Sequence, residues 1–259
     1  MPQPTTPRVK ILLYDIETTP RIAFVWGHWE TNVLEVIQES HVLCFAYKWL
    51  GEDKIHSVSL PNFRRSYQQD KTNDKEVCQA LWDLFEEADI VCGHNSMEFD
   101  TKKSNSRFIF HGFHPPAPFK QVDTLKTARQ HFAFPSNKLD DLGDYLEVGR
   151  KIPNTGKKLW LDVMEGKRQA WRDMIAYNKQ DVELLERVYL KLRPWMSNHP
   201  NYNLMAGTTD CCPNCGRPSL IVRKYYDTLG GSRQQLQCTS CGHYCNRPFK
   251  KKDQIARQI

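Results

Sequence analysis

The sequence predicts a three-layer α/β domain on a mixed central sheet, followed by a small cysteine-rich module. Three observations predict it. Short apolar strands between residues 9 and 92 enclose a helix of amphipathic period. A longer helical pattern runs from Trp171 to Leu192, its apolar positions recurring every three or four residues. Two Cys-x-x-Cys-Gly turns mark the last fifth of a chain of 259 residues, which is long enough for one well-buried domain and an appendage.

Residues 9–17 read as a strand, because Val9, Ile11, Leu12, Leu13 and Ile16 make it largely apolar and Pro20 stops it. Asp15 and Glu17 close this strand. Side chains alternate along a strand, so both acids point the same way, and two carboxylates so placed repel each other. A divalent cation between them relieves that repulsion, and hard oxygen ligands suit Mg²⁺ or Mn²⁺ rather than zinc. A solvated strand end is the plain alternative. Residues 41–49 and 55–60 are the next strands. Val77, Leu81, Leu84, Phe85 and Ala88 then form the apolar stripe of a helix over 74–88.

The strand 89–92 leads through Gly93-His94-Asn95 to a helix near whose start Asp100 stands. Taken singly, that position favours a helix N-cap, with a ligand at the carboxyl end of a strand, where open α/β sheets bind theirs, as the alternative. Beyond it, residues 101–107 carry few apolar side chains, which weakens the case for tight packing and leaves Lys102 and Lys103 able to reach a phosphate backbone. Asp123 ends a further strand as a cap or a supporting acid. Residues 138–146 form a short amphipathic helix. In the long helix, Tyr177 and Asp181 are four apart and share one face.

Together these segments spell Asp15-x-Glu17, then Asn95 through Phe99-Asp100, then Tyr177-x-x-x-Asp181. The pattern, over about residues 8–193, resembles the DEDDy 3′–5′ exonucleases, especially the proofreading domains of family B DNA polymerases and small standalone exonucleases encoded by viruses of bacteria. The resemblance implies a ribonuclease H-like fold. It also implies two Mg²⁺ or Mn²⁺ ions held by Asp15, Glu17, Asp100 and Asp181, with Tyr177 orienting the attacking water and Asn95, Phe99 and Lys138 touching the substrate. A free phenol has a pKa of about 10, which favours positioning over proton abstraction for Tyr177.

Cys212-Pro213-Asn214-Cys215-Gly216 and Cys238-Thr239-Ser240-Cys241-Gly242 are separated by 22 residues. This spacing resembles a zinc ribbon, in which four thiolates close a structural Zn²⁺ site with no open position for substrate. Disulfides are the alternative, disfavoured in an intracellular protein. Cys211 could compete with Cys212. Cys44, Cys78 and Cys92 lie in apolar contexts and suit a core.

The charge is uneven. From residue 207 onward nine Lys or Arg face three acids, a surplus of six that equals the formal net charge of the whole chain. A basic ribbon suits a polyanion, and Tyr225, Tyr226, Tyr244 and Phe249 suit either base stacking or the ribbon's own core. Arg150, Lys151, Lys157 and Lys158 could steer nucleic acid towards the acids. Phe24, Trp26 and Trp29 allow core packing or base stacking. His28, His94, His111 and His114 show no ligand spacing.

The expected organisation is a nuclease domain of residues 1–206 and a basic zinc ribbon of residues 207–259. The expected activity is hydrolysis of DNA from a single-stranded or frayed 3′ end to nucleoside 5′-monophosphates. An RNA 3′ exonuclease similar to ribonuclease D, or an adaptor that binds nucleic acid or polymerase, is the alternative. A separate DNA polymerase or a replication or recombination protein is an expected partner. With neither an apolar run of membrane length nor a signal-peptide pattern, the expected location is the cytoplasm, that of a host bacterium if the protein is viral.

Overall fold

The computed structural model describes residues 9–152 and 155–249. Lys10–Tyr189 forms one compact unit and the chain from Leu190 onward belongs to a second.

In the first unit the strands are β1 (Ile11–Thr18), β2 (Ile22–Phe24), β3 (Glu35–Gln38), β4 (Val42–Trp49), β5 (His56–Ser59), β6 (Ile90–Gly93) and β7 (Lys120–Asp123). The helices are α1 (Arg64–Gln69), α2 (Lys75–Glu87), α3 (Asp100–Phe110), α4 (Thr124–His131), α5 (Leu139–Tyr145), α6 (Lys157–Met164) and α7 (Arg168–Leu192), which ends in the second unit. Five strands make the central sheet in the order β5-β4-β1-β6-β7. β1 runs antiparallel to β4 and parallel to β6, so the sheet is mixed as the sequence predicts.

The apolar run Ile11–Tyr14 follows from burial on both faces, the pattern of a strand covered by helices on each side. On one face Tyr14 meets Phe85 of α2 edge-on, with ring centroids 5.1 Å apart, and its hydroxyl lies 2.9 Å from Thr101 Oγ1 of α3. On the other, Asp15 meets Asn178 of α7. The β1–β6 pairing stops at Leu13 and Cys92, so Asp15 and Glu17 lie beyond it, paired within the sheet to β4 opposite Ala46 and Cys44.

Helix α3 packs despite its polar sequence. Its buried residues are Asp100, Thr101, Ser104 and Phe108, and the polar ones are satisfied. Thr101 pairs with Tyr14, and Ser104 Oγ donates to the Asp100 carbonyl at 2.7 Å. Further along, Arg107 grips the fully buried Asp74 through Nε at 2.8 Å and Nη2 at 2.6 Å. The Val42 amide donates to the same carboxylate at 2.8 Å, and His111 Nε2 lies 2.6 Å from it. Burial opposes the charge on Asp74, yet these partners prevail and hold its pKa below the usual carboxylate value.

Core packing, one of the two roles the sequence allows Phe24, Trp26 and Trp29, is excluded: they are 59 %, 73 % and 98 % exposed around the β2–β3 hairpin. Cys44, Cys78 and Cys92 are buried, as the sequence predicts.

The second unit contains α8 (Tyr202–Ala206) and a three-stranded antiparallel sheet of β8 (Leu220–Thr228), β9 (Gly231–Cys238) and β10 (Tyr244–Pro248), in the order β10-β9-β8. Gly216 has φ +73°, and a Cβ there would come within 2.4 Å of the Tyr202 ring, so this turn requires glycine on both grounds. No helix among the described residues is long and apolar enough to cross a membrane.

Candidate active site and cysteine cluster

The carboxyl end of β1 and the middle of α7 bring Asp15, Glu17 and Asp181 together: one ligand atom from each lies within 4.8 Å of the others. Such an arrangement suits a shared cation, and Asp181 Oδ1 is buried without a hydrogen-bond partner. Asp100 stands outside this three-residue group but beside it, at the first position of α3, where its Oδ1 accepts the Ile16 amide at 3.2 Å. The N-cap position of α3 belongs to Phe99, so capping is not the role of Asp100.

Burial first, and mutual repulsion second, raises the proton affinity of these acids. Burial, then Asp100, Glu17 and Asp181, push Asp15 well above its ordinary value. Burial and Asp181 raise Glu17 to about 8, and burial raises Asp100 to about 6. Asp181 is raised by burial against the pull of Lys151. Four acids so placed favour cations.

Tyr177 lies one helical turn from Asp181, with Trp160 of α6 edge-on to its ring at 6.3 Å. Burial and the Asp181 charge push its phenol up to about 12, so it keeps its proton at neutral pH. Lys151, which the sequence offers only as a steering charge, reaches into the cluster: Nζ donates to Asp181 Oδ2 at 2.7 Å and to the Tyr177 oxygen at 3.2 Å. Arg150 instead pairs with Asp144 and Lys158 with Asp162.

Asn178 is a residue that sequence reasoning missed. Fully buried, it donates from Nδ2 to Asp15 Oδ2 at 2.7 Å and to the Asp15 carbonyl at 3.2 Å. Its signal was its position, next to Tyr177 and three before Asp181 on one helical face.

The three expected substrate contacts lie around the β6–α3 loop. Asn95 adopts a left-handed φ of 63°, and Asp123 fixes it by accepting the Asn95 and Met97 amides at 3.0 and 3.1 Å. Asp123 also caps α4 by accepting the Leu125 and Lys126 amides, the cap role the sequence offers. Phe99 is 41 % exposed, with Lys103 Nζ 5.9 Å from its ring centroid. With Thr18, Lys102, Lys103 and Phe110 it borders a cleft of about 950 Å³. Lys138 is exposed immediately before α5; its neighbour Asn137 accepts from His94 Nε2 at 3.0 Å. Burial lowers that imidazole to about 4, so it is neutral. His111 joins Asp74 and Cys78 in a further group, whose acid is already engaged by Arg107.

In the second unit Cys212, Cys215, Cys238 and Cys241 converge, with Sγ atoms 3.7 Å apart in the pairs Cys212–Cys241 and Cys215–Cys238. Four sulfurs bonded at about 2.3 Å to one tetrahedral ion have edges of about 3.8 Å, so the cluster fits such an ion. Cys211 and Cys245 are outside the group of four.

Residues 12–193 match the family model of the RNase H superfamily. The chain therefore belongs to the RNase H superfamily, whose nucleases use divalent metals. Among solved structures it is similar to the family B DNA polymerase of the hyperthermophilic archaeon Pyrobaculum calidifontis, at 13 % identity and a TM-score of 0.54. The likeness covers 86 % of this chain and 31 % of the polymerase. No curated protein matches. Fold, family and the acidic cluster support nuclease activity and nucleic-acid binding.

Proposed function

We propose that the protein is a DEDDy 3′–5′ exonuclease that hydrolyses DNA from a single-stranded or frayed 3′ end and releases nucleoside 5′-monophosphates. The observation that carries this reading is the convergence of Asp15, Glu17 and Asp181, with Tyr177 one turn away, at the carboxyl end of the central strand of an RNase H superfamily domain.

Asp15, Glu17, Asp100 and Asp181 would hold two Mg²⁺ or Mn²⁺ ions, which would supply activation of a water and relief of charge on the phosphoryl and leaving oxygens. Tyr177, protonated, orients the water through its hydroxyl. Asn178 keeps the Asp15 carboxylate turned towards Asp181, and Lys151 offsets part of the negative charge. Phe99 and Asn95 hold the terminal nucleotides, the lysines of the neighbouring cleft meet the phosphates, and Lys138 contacts the strand from the start of α5.

The four-cysteine cluster binds structural Zn²⁺, and the ribbon built on it adds affinity for nucleic acid. A separate DNA polymerase is the partner this reading expects. Chromatography of the products of an unlabelled DNA strand tests the reaction: nucleoside 5′-monophosphates are expected, whereas 3′-monophosphates or internal fragments contradict it.

A further inference from the structure

The register of β8, β9 and β10 sorts the side chains of the second unit onto two faces, because residues directly opposite in an antiparallel sheet point to the same side. One face holds the buried side chains of the sheet, Leu236 and Cys238, although Tyr225 on the same face stays 44 % exposed. Tyr225 lies opposite Gln234, and Leu236, which is buried, lies opposite Cys245, in the same alternation as the metal-cluster residue Cys238. Tyr225 also packs on Phe249, with ring centroids 4.6 Å apart.

No residue of the other face is buried. Lys224 lies opposite Gln235, which lies opposite Asn246, and Tyr226 lies opposite Arg233. Tyr244 pairs with Gln237 in the same alternation and is 48 % exposed. Lys224 Nζ sits 5.9 Å from the Tyr226 ring centroid. This face thus presents two aromatic rings, two cations and neutral amides beside Ile221 and Pro248, and no carboxylate among the described residues.

We propose that this face is a binding platform for single-stranded nucleic acid, with bases stacked on Tyr226 and Tyr244 and phosphates met by Lys224 and Arg233. Stacking on aromatic rings beside a cationic track is the physics of sequence-tolerant single-strand binding. Tyr226 and Tyr244 stand on the two outer strands, four residues apart along the sheet, a diagonal of about 16 Å. Each ring therefore serves a different base of one strand. A duplex offers no unpaired base to either ring. The nuclease reading enters only in the choice of nucleic acid as ligand.

The test is fluorescence anisotropy of a 5′-labelled oligothymidylate titrated with the full chain, without added divalent metal, across a series of NaCl concentrations. The platform predicts that Tyr226→Ala/Tyr244→Ala weakens binding by about tenfold or more, while Tyr226→Phe/Tyr244→Phe retains it. Lys224→Gln/Arg233→Gln makes the slope of log affinity against log salt shallower by about 1.4. Leu229→Ser, at the fully exposed β8–β9 turn, binds as the wild type does. Wild-type affinity in the alanine pair, equal loss in the phenylalanine pair or in Leu229→Ser, tighter binding of a duplex, or no binding by the wild type each overturns the proposal. Because binding is read without hydrolysis, a protein that binds through this face but cleaves nothing sinks the nuclease reading alone. One that cleaves while its face variants bind normally sinks only the platform.

Discussion

Asn178 Nδ2 stands 2.7 Å from Asp15 Oδ2 and 3.2 Å from the Asp15 carbonyl, so one buried amide on α7 fixes both the side chain and the backbone of the first acid on β1. Groups that orient a metal ligand typically matter by 10- to 100-fold, and Asn178→Ala is expected to lower metal affinity or turnover by about that factor. Mn²⁺ titration beside steady-state rates measures it; wild-type values in both would remove Asn178 from the account.

Asp15→Asn and Asp181→Asn are each expected to reduce hydrolysis on the order of 10³-fold or more, since each removes a charged metal ligand. Tyr177→Phe keeps the ring against Trp160 and loses only the hydroxyl, so a fall of about ten- to a hundredfold is expected. Rates for the three variants, with circular dichroism to confirm folding, provide the comparison.

The raised acids couple stability to pH. Glu17 rises to about 8 and Asp100 to about 6 in the fold, each chiefly through burial. A carboxyl with a raised folded pKa favours the folded state fully below its unfolded value, and that contribution is lost as pH rises through the folded value. Without added metal, Tm should therefore fall between about pH 4.5 and pH 8, through these groups. Mg²⁺ or Mn²⁺ should restore it most at the upper end, because the ions bind the deprotonated form. Thermal melts at several pH values, with and without metal, measure the effect; a Tm that rises across this window in metal-free buffer contradicts it.

Asp74 makes the opposite case. It is fully buried among Arg107, His111 and the Val42 amide, and Arg107→Ala leaves its charge uncompensated. A cost of about 3–5 kcal/mol in unfolding free energy is expected. Denaturant unfolding checks the size, and unchanged Mn²⁺ affinity in the same variant checks that this cluster is separate from the acids of β1.

Removal of the ion from the cysteine cluster should melt the small sheet, because so little apolar surface is buried there. Cys212→Ser is expected to lose zinc and the hydrogen-exchange protection of β9. Elemental analysis with exchange mass spectrometry reads both, and full protection without metal would show that the sheet stands unaided.

The sequence carried the strands and helices of the central sheet well, because β1, β4 and α2 have the apolar periods that burial demands. It also pointed to Asp15 and Glu17, since two acids at the end of an apolar strand stand out, whereas Tyr177 and Asp181, an ordinary pair on a helical face, were marked only by the resemblance to the DEDDy exonucleases. What it hid depends on partners distant in sequence. The polar buried face of α3 makes sense only once Tyr14 reaches Thr101 and Asp74 reaches Arg107. Lys151 reads as a surface charge until its loop meets α7, and the β2–β3 hairpin exposes Phe24 and Trp26, so no burial pattern marks it.

The central claim is metal-dependent removal of nucleotides from a DNA 3′ end by the acids around Asp15. Matched 5′-labelled DNA and RNA strands, single and double, incubated with Mg²⁺ or Mn²⁺ and resolved on a denaturing gel beside an Asp15→Ala control, test it most directly. A DNA ladder that shortens from the 3′ end, with RNA spared and the control inert, is the result expected. No shortening of any strand, or equal shortening by the control, contradicts the account.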